Sequence, residues 1–131
     1  MITLVCGLPG TGKTTWVREH MGDGVAYDLD AIAGAFRLRG PHEEYHDASR
    51  HMANDILKAF SENAGRYTPS VYVIRTAPTE DEIATIRPGH VVICMRQYVR
   101  RGITKPTAMR RLQALAEWCE NTGTSLDYVF D

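Results

Sequence analysis

Between residues 83 and 116 the chain has no Asp or Glu, yet seven basic residues fall there: Arg87, Arg96, Arg100, Arg101, Lys105, Arg110 and Arg111. A net charge of −1 over 131 residues hides this asymmetry. Residues 1–82 hold 8 basic and 12 acidic residues, and residues 117–131 hold four acids and no base. Lysine is also scarce, with 3 against 12 arginines. The planar fork of arginine suits phosphate and carboxylate, so the bias points to a polyanionic ligand. Cysteine is limited to Cys6, Cys94 and Cys119, with no C-x-x-C pair. That excludes a zinc ribbon and a redox dithiol, and it fits buried thiols in a reducing, cytoplasmic compartment. No apolar run approaches the roughly 18 residues of a membrane helix, and Met1-Ile2-Thr3 lacks the basic segment of a leader, so no membrane association is expected. Repeats and low-complexity tracts are absent, which sets aside fibrous and disordered classes.

What remains is ordinary globular composition, 44% hydrophobic and 24% charged, at a length suited to one domain over residues 1–131. Short apolar runs alternate with helical patterns along it. Strands are expected at Ile2–Cys6, Val25–Asp28, Val71–Ile74 and Val91–Met95, with a fifth, edge strand at Leu126–Phe130. Helices are expected from Lys13 to Met21, Asp30 to Arg39, His42 to Glu62 and Thr104 to Asn121. Thr79-Glu80-Asp81-Glu82 has the capping-box pattern and opens a further helix to Ile86. In the long third helix the apolar positions are Met52, Ile56, Leu57 and Phe60. In the last, Met109, Leu112, Ala116 and Cys119 share one face. This alternation predicts an α/β domain of three layers, a mostly parallel sheet of four to five strands with helices on both faces.

Gly7-x-x-x-x-Gly12-Lys13-Thr14 matches the Walker A pattern, and it stands between an expected strand and an expected helix. At this composition a chance match has a probability of roughly 0.25%. Glycines let the backbone curl so that successive N–H groups face one anion, and the helix N-terminus adds its dipole. The loop offers Gly7, Pro9, Gly10, Thr11, Gly12, Lys13, Thr14 and Thr15 to a nucleotide. Lys13 reaches the terminal phosphates and the Thr14 hydroxyl holds Mg²⁺, so ATP and Mg²⁺ are the expected cofactors.

Residues 7–19, Gly7-Leu8-Pro9-Gly10-Thr11-Gly12-Lys13-Thr14-Thr15-Trp16-Val17-Arg18-Glu19, resemble the start of the phage-type polynucleotide 5′-hydroxyl kinase domain, within the wider group of small P-loop kinases. The resemblance is clear over residues 1–30 and weak over 70–112. It implies a P-loop NTPase-type fold and ATP·Mg²⁺-dependent phosphoryl transfer to a hydroxyl of a nucleotide or a nucleic acid 5′ end. It also places Asp30 at the family's catalytic aspartate, and the segment Val91 to Arg101 at its lid. The chain departs from the family at two positions. Arg75 stands where an Asp helps hold the Mg²⁺ shell, and Ala33 stands where an arginine follows the catalytic aspartate, with Arg37 the nearest basic residue. These departures favour the alternative of a P-loop protein that binds ATP without catalysis.

Physical chemistry gives each of these residues two readings. A carboxylate just beyond a parallel strand lies in the ligand crevice, where Asp30 orients or deprotonates the acceptor. The competing reading has it cap the following helix. Asp28 is either a ligand in the Mg²⁺ shell or a local hydrogen-bond acceptor. If the segment after the fourth strand continues as helix, Arg96 and Arg100 share one face with Arg101 beside them, and Gly102 offers a hinge. They form either a phosphate-contacting lid or a solvated basic face. His42-Glu43-Glu44-Tyr45-His46 fits the H-E-x-x-H zinc pattern, but Gly40-Pro41 puts it at a helix start followed by polar residues, where acids complement the dipole without any metal.

Overall fold

The computed structural model describes residues 2–8, 10–36, 38, 47–66, 70–95 and 106–130. Five strands form one sheet: β1 (Ile2–Cys6), β2 (Val25–Asp28), β3 (Val71–Ile74), β4 (His90–Cys94) and β5 (Ser125–Val129). Their spatial order is β2-β3-β1-β4-β5, and every neighbouring pair is parallel. The α/β architecture expected from the alternation is therefore present, edge strand included. The helices are α1 (Lys13–His20), α2 (Leu29–Ala35), α3 (Asp47–Glu62), α4 (Glu80–Ile86) and α5 (Pro106–Thr122), with a 3₁₀ turn at Ala64–Arg66. No helix among the described residues is long and apolar enough to cross a membrane.

The central strands are apolar on both faces because both faces are covered. Ile2, Leu4, Cys6, Val71, Val73, Val91 and Ile93 share one cluster with side chains of α2, α3, α4 and α5. Val5, Tyr72, Ile74, Val92 and Cys94 face the other way and, among the described residues, pack against α1 through Val17, Trp16 and Met21, with Val129 at the margin. Handedness accounts for the four helices against one among the described residues. Going from β1 to β2 the chain moves across the sheet in one direction, and its three other parallel crossovers move in the opposite direction. Right-handed crossovers that travel in opposite directions must lie on opposite faces. The connections diverge at the carboxyl ends of β1 and β3, the place where open parallel sheets leave a ligand crevice.

Several boundaries and faces differ from expectation. α2 begins one residue early, because Asp28 is extended and its Oδ1 accepts the N–H groups of Asp30 and Ala31 at 3.0 and 3.4 Å, and it ends at Ala35. The cap on this helix is thus Asp28 and not Asp30. In α3 the inward residues are Ala53 and Leu57, with Phe60 half-buried, while Met52 and Ile56 turn outward. Small residues on both helices explain it: Ala53 on α3 and Ala33 and Gly34 on α2 are all buried and permit a close approach. The Tyr27 hydroxyl also donates to the Ala53 carbonyl and draws α3 down onto β2. The Thr79–Glu82 capping box forms as expected. Cys6, Cys94 and Cys119 are buried free thiols.

Candidate functional site

The loop leaving β1 is organised by one carbonyl. Leu8 O accepts the Thr11 N–H at 3.2 Å, the Thr11 hydroxyl at 2.7 Å and the Lys13 ammonium at 3.1 Å. Lys13 Nζ also donates to Gly7 O at 2.7 Å. Gly10 and Gly12 adopt φ of 82° and 86°, a region that only glycine enters freely, and they carry the chain around this hub. Thr11 is buried with both its donors committed to Leu8, so its part in the loop is to close it. Gly7 is held at the base by its N–H to Thr76 O at 3.0 Å. A Cβ there would lie 2.5 Å from both the Cys94 carbonyl oxygen and Thr11 Oγ1.

Helix α1 then starts with no side chain capping it, since Gly12 occupies the N-cap. The amides of its first turn have no partner within the helix, and its dipole adds partial positive charge. Gly10, Gly12, Lys13, Thr14 and Thr15 form one wall of a 260 Å³ cavity. The far wall comes from the ends of β2 and β3: Asp28, Leu29, Asp30, Ile74, Arg75 and Thr76. Burial pulls the Lys13 amine below the ordinary lysine value, and the nearby Asp30 and Asp28 carboxylates act in the opposite direction. A cavity of this size is smaller than a typical whole-ligand pocket, and it matches a phosphate tail better than a complete nucleotide. The donor set fits such a tail, with open amides, one lysine and glycine where backbone must approach closely.

The structure thus gathers Gly10, Gly12, Lys13, Thr14, Thr15, Asp28 and Asp30 around one space. Among the described residues no group of three or more His, Cys, Asp or Glu could hold a metal. Mg²⁺ does not need such a cage, because it keeps waters and binds through one or two protein oxygens plus phosphate. The Thr14 hydroxyl and the Asp28 carboxylate are the groups on the cavity wall that would serve it. Pro9, Arg96, Arg100 and Arg101 lie outside the described residues, as do Arg37 and the His42–His46 motif.

Arg75 enters the same cavity wall and is held from behind. Its Nη2 donates to Glu82 Oε1 at 2.9 Å, and its Nε lies 2.6 Å from Glu82 Oε2. Beyond Thr76 the same connection borders a second, larger cavity of 740 Å³ between α4 and α5. Its walls include Pro78, Thr79, Glu80 and Asp81 on one side and Arg110, Arg111 and Trp118 on the other. Nothing in the sequence pattern marked Trp118 as a site residue, because a tryptophan on an amphipathic helix reads as core. Its half-exposure in a groove follows from the separation of two helices, which no local spacing encodes.

No protein-family model and no curated protein matches the chain. Among solved structures it is similar to an unliganded sugar kinase from a Janibacter species, at 16% identity and a TM-score of 0.46. The superposition takes in 86% of this chain and 65% of the kinase, so the chain spans just under two thirds of that structure's length.

Proposed function

We propose that the protein binds ATP with Mg²⁺ at the loop after β1 and passes a phosphoryl group to a hydroxyl beside Asp30. The observation that carries this reading is a juxtaposition. The uncapped α1 N-terminus and Lys13 face the Asp28 and Asp30 carboxylates across a single 260 Å³ space. ATP would supply the phosphoryl group, and Mg²⁺ would neutralise charge on its oxygens. The first-turn amides bind and orient the phosphate tail, and Lys13 exchanges carbonyl partners for phosphate oxygens. Thr14 presents its hydroxyl to the metal. Asp30 orients the acceptor hydroxyl and takes its proton.

The acceptor class we propose is a nucleotide or a nucleic acid 5′ end. Support comes from the 740 Å³ groove adjoining the same β3–α4 connection. The Trp118 ring offers a stacking surface for a base, and Arg110 and Arg111 offer forks to phosphate.

Lys13→Ala should weaken Mg·ATP binding about 10- to 100-fold in isothermal titration, the worth of one or two charge-assisted hydrogen bonds. Asp30→Asn should leave that affinity unchanged and lower kcat about 10²- to 10⁴-fold in a 5′-³²P transfer assay on oligonucleotides and small hydroxyl compounds. Equal ATP affinity in wild type and Lys13→Ala would overturn the binding reading. The second reading, a nucleotide-binding protein without catalysis, is favoured by Arg75 at the end of β3. Tight ATP binding with no transfer to any acceptor would select it.

A further inference from the structure

We propose that Arg75 is a resident cation of the phosphate cavity, one that lets a polyphosphate bind there with little dependence on Mg²⁺. This rests on the reading of the cavity as a phosphate site and assigns a residue that reading does not use. Because β3 lies between β1 and β2, the first residue past β3 falls between the Lys13 loop and the Asp28–Asp30 turn. Its backbone is fixed there by the Arg75 N–H to Val5 O at 3.0 Å.

The side chain is equally constrained. Glu82 Oε1 accepts Arg75 Nη2 at 2.9 Å together with the N–H and hydroxyl of Thr79, both at 3.2 Å. The carboxylate is therefore anchored in the first turn of α4 and cannot swing away without breaking the capping box. A guanidinium carries five N–H donors, and the hydrogen bond to Glu82 uses one N–H of Nη2, while Nε meets Oε2 only as a charge contact. Nη1 keeps both its donors and Nη2 keeps one, and together they form the bidentate fork that matches a phosphate. The two side chains are covered alike, 18% and 15% exposed. They differ in what they border: Arg75 lines the cavity, whereas Glu82 lines neither cavity.

Charge balance points the same way. The cavity wall carries two cations, Lys13 and Arg75, against two carboxylates, Asp28 and Asp30. An acidic residue at position 75 would leave Lys13 alone against three carboxylates, and a polyphosphate could then enter only with metal. With Arg75 the groups on the wall balance, and the Glu82 carboxylate behind it leaves one net negative charge, against three for an acidic residue at position 75.

The test is titration of inorganic tripolyphosphate, in EDTA and in Mg²⁺, against wild type, Glu82→Gln and Arg75→Met/Glu82→Gln. Glutamine preserves the capping box, and the double variant leaves no buried charge unpaired. Wild type should bind in EDTA within about tenfold of its affinity in Mg²⁺. Glu82→Gln, which removes the neutralising carboxylate, should bind at least as tightly. The double variant should lose about 10- to 100-fold in EDTA, and less in Mg²⁺. Arg75→Lys keeps a charge without the fork and gives a second measure through a smaller loss in EDTA. Equal EDTA affinities for Glu82→Gln and the double variant would reduce Arg75 to a structural partner of Glu82. No binding by wild type in either buffer would instead overturn the phosphate-site reading, and this one with it.

Discussion

Gly7→Ala tests whether the phosphate loop is shaped by crowding as well as by backbone conformation. The new Cβ would meet the Cys94 carbonyl and Thr11 Oγ1 at 2.5 Å, at a residue whose φ is +150°. Neither neighbour can yield easily. Cys94 belongs to β4, which is paired on both sides, and the Thr11 hydroxyl is bonded to Leu8 O. The glycine must move instead, which pulls on its N–H bond to Thr76 O and on the Lys13 contact to its carbonyl. Backbone strain of about 1–3 kcal/mol and overpacking of about 1–3 kcal/mol together predict a loss of roughly 2–6 kcal/mol. For a domain of this size 1 kcal/mol moves Tm by about 4 °C, so the melt should fall by roughly 8–24 °C. Gly22→Ala is the control. Its φ is +50° with nothing within 4 Å of a new Cβ, so only the left-handed conformation matters, at about 1 kcal/mol. Thermal melts followed by far-UV circular dichroism give both values. A Gly7→Ala melt within about 4 °C of Gly22→Ala would refute the crowding account.

Tyr27→Phe should destabilise the fold by about 0.5–1.5 kcal/mol in urea titration, because it removes the hydroxyl bond to the Ala53 carbonyl that ties α3 to β2. An unchanged midpoint would show that the Tyr27–Ala53 bond contributes nothing. Phosphate beside Lys13 favours its charged form, opposing the burial that lowers its pKa, so ATP binding should raise that pKa and take up protons as pH climbs toward the ordinary lysine value. Calorimetry in buffers of different ionisation enthalpy should show this uptake growing with pH in wild type and absent from Lys13→Ala; buffer-independent heats would contradict it.

The glycine loop between β1 and α1 and the strands were legible because their signals are local. Glycines between an apolar run and a helical pattern mark a tight loop, and central parallel strands are apolar throughout. The choice between Asp28 and Asp30 as cap was not local. Both precede the helix, and what decides is which one stays extended, which for Asp28 is φ −119° and ψ 111°. The inward face of α3 misled for a similar reason. Hydrophobic rank favours Met52 and Ile56, whereas close packing against Ala33 and Gly34 selects the smaller Ala53. Arg75 was visible as a departure from a resemblance, yet its pairing with Glu82 appears only once α4 folds back over the end of β3. The groove at Trp118 depends on how far apart two helices settle, and no single segment carries that information.

The placement of β1 at the centre of the sheet also has a consequence for how the chain is made. Its partners are distant in sequence: Ile2 pairs with Val71, and Thr3 with His90. At about 5–20 residues per second, β1 leaves the ribosome on the order of ten seconds before both neighbours have been synthesised. Throughout that interval its apolar residues and both rows of its backbone donors and acceptors have no native partner, a state in which chaperone capture and aggregation compete. The loop that would hold phosphate is emerging at the same time, but its base is tied to Thr76 and crowded by Cys94, so it cannot be completed until the later strands arrive. Binding competence should therefore appear late and all at once during synthesis, when β4 docks beside β1.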